Sequence, residues 1–204
     1  MMSHYQVPMS TIKYFLISAL LVCSINTLAA EKPSLPAVPD FFLEGPSNTM
    51  VRLSDLKGQV ILINFWATWC RPCRIEMPVL ENLYQHYKDD GLAILGINIE
   101  NASQSAKREA IDAMISKMKL SFPILYDSDK NVMRNIEKHL LNKNMGMPTT
   151  LLIDRFGNTR HIHEGYRQGD DKTYQQMIEF LLKEPSKKLL PFDKKRLTFL
   201  VSSD

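Results

Sequence analysis

A chain of 204 residues with 45% hydrophobic side chains can bury one good core, and its length suits a single domain. Its 25 basic and 22 acidic side chains leave a net charge of +3, too balanced for a nucleic-acid surface, and no basic aromatic motif supports one. Three cysteines, one of them in the N-terminal segment, exclude a disulfide framework and fall short of a four-ligand zinc site.

Residues 1–30 read as a signal peptide or an N-terminal membrane anchor. Lys13 precedes an apolar run over 14–22, shorter than the roughly 20 residues of a membrane span, and Ala29 and Ala30 offer a cleavage point. Cys23 follows the bulky Val22, which argues against lipidation. Pro33, Pro36 and Pro39 make 31–39 a stiff linker. The main domain is expected over 40–184. The stretch 185–204, with Lys187, Lys188, Lys194, Lys195 and Arg196, reads as a solvated basic tail.

Within 40–184, residues 40–43 and 50–53 look like short strands about a turn at 45–48, and 54–58 as a turn before the next strand. The run 60–67 is nearly all apolar, as expected of a strand buried on both faces. A helix follows Cys70, with Ile75, Met77, Leu80, Leu83, Tyr84 and Tyr87 at helical spacing and Pro78 inside it as a kink. A second buried strand spans 92–99, so strand–helix–strand implies a parallel crossover. The pattern from 103 to 120 is helical, with Ala106, Ala110, Ile111, Met114, Ile115 and Met118 on one side. Residues 122–126 are extended, and 130–141 make a short helix. Residues 149–154 and 159–165 form a hairpin around Gly157, and a last helix, capped by Asp170 or Asp171, ends near Lys183.

The chemistry centres on Trp69-Cys70-Arg71-Pro72-Cys73, between a strand and a helix. There the first sulfur meets free backbone N–H groups and the positive end of the helix dipole. Both favour thiolate, which is the nucleophile. Two cysteines at this spacing can close to an easily reduced disulfide, so the stretch points to thiol–disulfide exchange. Cys70, nearest the helix start, is the expected attacking thiolate, and Cys73, one turn later, is expected to resolve the mixed disulfide. Pro72 restrains the turn, and Arg71 brings a positive charge that favours thiolate. Glu76, three residues after Cys73, returns to the same helical face, where a buried carboxyl can take or return the Cys73 proton.

These residues resemble the thioredoxin superfamily, most closely its exported TlpA/ResA-type thiol–disulfide oxidoreductases. The resemblance is carried by Asp40-Phe41, by Leu53-Ser54-Asp55-Leu56-Lys57-Gly58, and by Asn64-Phe65-Trp66-Ala67-Thr68-Trp69-Cys70-Arg71-Pro72-Cys73. Glu76, Pro78, Gly146-Met147-Pro148-Thr149-Thr150 and Ile153-Asp154 complete it, over roughly residues 38–184. It implies an α/β thioredoxin-like fold: a central mixed sheet flanked by helices, an N-terminal β-hairpin extension and a central helical insertion at 103–119. It implies a catalytic set of Cys70, Cys73 and Glu76. Trp69, Arg71, Pro72, Met147 and Pro148 would bind substrate, with a cis peptide before Pro148 that exposes the Met147 backbone to a substrate peptide. No metal is implied, and no cofactor beyond the redox-active disulfide Cys70–Cys73. Asn64 stands where plain thioredoxin has a buried aspartate, and residues 139–144 form a longer approach to Gly146 than the family usually has.

The function this resemblance implies is an exported thiol–disulfide oxidoreductase that reduces protein disulfides, for example in cytochrome c maturation or copper-site assembly. Its partners would be exported protein thiols or disulfides and a membrane electron-transfer donor. Its location would be periplasmic or extracytoplasmic, either soluble after cleavage or anchored by the N-terminal segment. The alternatives are a thiol peroxidase, whose kind typically attacks peroxide with a lone cysteine, and a copper-delivery module. His161 and His163 share a strand face and, with the Cys70/Cys73 dithiol, invite a copper reading, to which Met145 and Met147 add soft donors. Strand histidines more commonly decorate a solvent face. Redox direction is open, because about 30 mV corresponds to only 1.4 kcal/mol of relative stability.

Overall fold

A computed structural model describes residues 35–184. The readings of 1–30, of the start of the 31–39 linker and of the 185–204 tail lie outside the described residues. Among the described residues no helix is long and apolar enough to cross a membrane.

The central sheet is built from the two apolar runs. Strands β3 (Val60–Trp66) and β4 (Leu92–Asn98) are buried at every position and pair in parallel. Helix α1 (Arg71–Tyr87) connects them. Strand β5 (Ile124–Tyr126) extends the sheet in parallel beyond β4. On the other side β6 (Thr149–Ile153) and β7 (Thr159–Glu164) add antiparallel, giving the order β5-β4-β3-β6-β7. A separate hairpin of β1 (Phe42–Glu44) and β2 (Met50–Arg52) turns through a 3-10 segment at Pro46–Asn48. The hairpin and central helix of the expected thioredoxin-like architecture are therefore both present.

Helix α1 runs through Pro78 as one element and buries Cys73, Glu76, Met77, Leu80, Leu83 and Tyr87. That stripe repeats every three or four residues. Ile75, expected on it, lies between its rows and is 56% exposed. Helix α2 (Ser105–Met118) buries Ile111, with Met114, Ile115 and Met118 packed against the core. Ala106 and Ala110, expected on the same side, are exposed, because a step of one residue turns about 100° around the helix and a step of five about 140°. Arg108 of α2 pairs with Glu44 of the hairpin at 3.2 Å, and Tyr126 donates to Asp112 at 2.7 Å, which fastens hairpin, insertion and β5 together.

The short helix expected at 130–141 divides into α3 (Asn131–Ile136) and a π-helical turn at Glu137–Leu141. Helix α4 (Asp170–Lys183) buries Tyr174, Ile178 and Leu181. Its N-cap is Gly169, in the left-handed region at φ 103°, and no side chain caps it. Asp170 is instead the first helical residue. Asp171 follows it inside the helix, so neither is the expected cap; the Asp170 carboxylate instead turns back to accept from the Arg167 N–H at 2.7 Å and to bond His163 at 2.9 Å.

Candidate active site

Strand β3 ends at Trp66, and the chain turns through Ala67, Thr68 and Trp69 before α1 begins. The Cys70 N–H donates to the Ala67 carbonyl at 3.1 Å, which closes that turn. Cys70 is the N-cap of α1: its Sγ accepts the free Cys73 N–H at 3.2 Å. A proline in the first turn loses no hydrogen bond, because the first N–H groups of a helix have no partner within it. Pro72 therefore fits this place. The two sulfurs form a disulfide with Cα atoms 5.3 Å apart. Cys70 is 4% exposed and Cys73 fully buried, while Trp69 beside them is 63% exposed. Arg71 is also exposed.

A carboxylate holds the approach to Cys70. Glu100, just beyond β4, accepts from both the backbone N–H and the hydroxyl of Thr68, the latter at 2.9 Å. Arg74 reaches back to the Thr68 carbonyl at 3.2 Å. Glu100 is itself oriented through its N–H, which donates to Asn98 Oδ1 at 2.9 Å.

The Met147–Pro148 peptide is cis. Phe65 is paired with Thr149, so Met147 and Pro148 leave the sheet at the end where β3 delivers Cys70. The Pro148 carbonyl accepts from Gly165 at 2.7 Å, and Thr149 Oγ1 donates to the Gly146 carbonyl at 2.8 Å. The approach at 139–144 is held to Glu137: the Asn142 N–H donates to its carbonyl and the Met145 N–H to its Oε1, each at 2.7 Å.

Glu76 lies one helical turn beyond Cys73 on the buried face of α1. Asn64 Nδ2 donates to its Oε2 at 2.8 Å. Its Oε1 accepts from Thr150 at 3.0 Å and from the Tyr174 hydroxyl at 2.8 Å. Burial pushes the Glu76 carboxyl above the ordinary glutamate range. The hydrogen bonds from Tyr174, Thr150 and Asn64, and the charge of His163, pull it back without cancelling that effect.

His161 and His163 share a face of β7 with their rings 6.0 Å apart, but both are partly buried and neither forms an open solvent face. His163 Nε2 bonds Asp170 at 2.9 Å, and its ring meets the Tyr174 ring edge-on at 5.6 Å. Among the described residues no group of three or more His, Cys, Asp or Glu is arranged to hold a metal ion.

The structure thus gathers Cys70, Cys73, Pro72, Trp69, Arg71 and the Met147–Pro148 peptide at one end of the sheet, with Glu76 beneath them. Sequence reasoning missed Glu100, Tyr174 and the part Thr150 plays toward Glu76. Tyr174 sits at helical spacing with Ile178 and Leu181 and reads as core. The only signal against that reading is its hydroxyl, which needs a partner when buried.

A mixed sheet that delivers a Cys-X-X-Cys pair to a helix start, with a cis-proline at the same end, defines a thioredoxin-like protein disulfide oxidoreductase. The chain belongs to the AhpC/TSA family, whose family model matches residues 36–162. It is 32% identical over 157 residues to the thiol-disulfide oxidoreductase ResA of Bacillus subtilis (strain 168), covering 73% of this chain and 82% of the relative. The thioredoxin-like protein YneN of the same organism is 39% identical over 132 residues, covering 62% of this chain and 69% of the relative. A crystal structure described as a thiol:disulfide interchange protein DsbE, from Chlorobium tepidum, matches with a TM-score of 0.64 at 31% identity, covering 74% of this chain and 98% of that one. With its Cys70–Cys73 pair, the protein is a thiol–disulfide oxidoreductase of the ResA/DsbE type.

Proposed function

We propose that this oxidoreductase is exported and reduces disulfides of other exported proteins, with Cys70 as nucleophile, Cys73 as resolving thiol and Glu76 as its proton acceptor. The observation that carries the reading is the buried Glu76, one turn past the buried Cys73 and held by three donors. A carboxyl with raised proton affinity is suited to take a proton from a thiol near neutral pH. In the reduced enzyme the Cys70 thiolate attacks one sulfur of the partner's disulfide. The partner's other sulfur leaves as thiolate and takes up a proton. Cys73 gives its proton to Glu76 and attacks Cys70 Sγ, which releases the partner's second thiolate and leaves the Cys70–Cys73 disulfide. Two electrons pass to the partner, and a donor must return them.

In this reading the exposed Trp69 and Arg71, with Pro72 and the Met147–Pro148 backbone, form the docking surface for the substrate peptide. The resemblance to exported TlpA/ResA-type oxidoreductases implies the reductive direction, with a membrane electron-transfer protein as donor. It likewise implies acceptors such as apocytochrome c or a copper-site protein, and a periplasmic or extracytoplasmic location. No cofactor beyond the disulfide is required by this cycle. A peroxidase reading is less favoured because Cys73 is paired with Cys70 in place of a lone cysteine.

The test is the reduction potential of the full chain, equilibrated in thiol buffers and read by trapping free thiols. A value near that of thioredoxin, about −270 mV, supports a reductant. A value near about −120 mV would make the protein a disulfide donor and overturn the reductive reading.

A further inference from the structure

The strand register sets three polar side chains in one row across the sheet. Asn64 on β3 is paired with Thr150 on β6, and Thr150 with His163 on β7. Directly paired residues share a face, so all three project to the same side. Glu76 descends on the first two from α1, and Tyr174 from α4 bonds Glu76 and lies edge-on to His163. The row ends where Asp170 grips His163, with side chains 27% and 20% exposed. A polar line therefore runs from a fully buried carboxyl to the edge of the sheet.

The two histidines on this face differ. His161 Nε2 is buried without a hydrogen-bond partner, and burial, with the charge of His163, pushes its pKa down. His163 has a carboxylate on its ring nitrogen. The other charged or titratable groups facing His163 are Glu76 from α1 and Asp170 and Tyr174 from α4; Tyr166 and Arg167, in the loop before α4, act on Asp170. Glu164, next along β7, is paired with Lys143 at 2.7 Å.

We propose that His163 is a positioning residue for disulfide exchange: held on Asp170, its ring charge sets how readily Glu76 gives up its proton, and so couples the Cys73 step to solvent pH. This rests on Glu76 serving as the proton acceptor of Cys73. Histidine changes charge near neutral pH, and a positive ring near a buried carboxyl favours the carboxylate. With His163 charged, Glu76 ionises at lower pH and is free to accept the thiol proton. With His163 neutral, Glu76 keeps its proton to higher pH.

The experiment is single-turnover oxidation of the reduced full chain by oxidised glutathione, followed by tryptophan fluorescence across pH, for wild type, His163→Gln, Glu76→Gln and the double variant. Gln keeps a polar group opposite Asp170 and removes the charge. His163→Gln is expected to move the acid limb of the profile up by about one pH unit, a roughly tenfold slower reaction on that limb, and to have no effect in the Glu76→Gln background. Asp170→Asn, which loosens the hold on the charged ring, is expected to move the limb in the same direction and keeps the test open if His163→Gln folds poorly. A wild-type profile for His163→Gln and Asp170→Asn beside an altered one for Glu76→Gln overturns the role of His163 and leaves Glu76 in place. A wild-type profile for Glu76→Gln removes both. An equal shift from His163→Gln in both backgrounds means that His163 acts other than through Glu76, and also overturns the proposal.

Discussion

The Tyr174 hydroxyl donates a 2.8 Å hydrogen bond to Glu76 Oε1, joining residues 98 positions apart. It ties the last helix to the helix that carries the cysteines, beneath the redox pair. The same carboxylate oxygen accepts from Thr150, so two helices and the sheet meet at a single buried group.

Tyr174→Phe keeps the ring against His163 and deletes this donor. A stability loss of about 1–2 kcal/mol is expected. The bond favours the ionised carboxylate, so without it Glu76 should hold its proton to higher pH and the acid limb of the exchange profile should move upward. Urea melts and the pH–rate profile measure the two effects. A profile like that of wild type would mean that the bond is structural only.

Glu76 and His161 give stability opposite slopes with pH. The Glu76 carboxyl is raised in the folded state by burial, so the folded chain binds this proton more tightly than the unfolded chain. Its contribution is fully present below the ordinary glutamate value and is lost as pH rises through the folded value. Glu76→Gln should therefore flatten the decline in unfolding free energy of the oxidised protein as pH rises above the ordinary glutamate value.

His161 is lowered by burial and by the charge of His163. Its contribution is present above the ordinary histidine value, about 6.5, and is lost as pH falls through the folded value. His161→Gln should lessen the acid-side loss of stability in denaturant melts between about pH 7 and pH 5. An acid-side slope equal to that of wild type would exclude His161 as its source.

Glu100→Ala removes the acceptor for both the Thr68 N–H and its hydroxyl. Stability should fall by about 1–3 kcal/mol, and exchange should slow because the turn that carries Trp69 and Cys70 loses its anchor. Glutathione-coupled turnover alongside thermal unfolding would show both. Lost stability with wild-type turnover would confine Glu100 to folding.

Gly45→Ala addresses the hairpin. A Cβ at Gly45 would collide with the backbone carbonyl oxygen of Ile124 on β5, which no side-chain movement relieves. Displacement of the hairpin should cost about 1–3 kcal/mol, with exchange at Cys70 unchanged. A stable variant would show that β5 yields without loss.

The strand, the cysteine pair and the first helix were legible in the chain because their determinants are short-range. An unbroken apolar run makes β3, a proline fits the first helical turn, and a repeat of three or four residues marks the buried side of α1. The resemblance extended this reading to Met147 and Pro148 and to Glu76 as the acid. Local pattern misjudged residues whose burial depends on the partner surface: Ile75 lies outside, and Ala106 and Ala110 miss the stripe of α2. Asp170 looked like a helix cap until Gly169 took that place and His163 claimed its carboxylate.

By itself, then, the sequence determined the redox pair and its setting between strand and helix, since neighbouring residues suffice to form both. Only the tertiary structure decided what surrounds Glu76. Asn64 meets Thr150 across 86 positions, and Tyr174 meets Glu76 across 98. Such contacts are set by strand register and by the packing of two helices on one sheet face, and neither leaves a mark in local spacing.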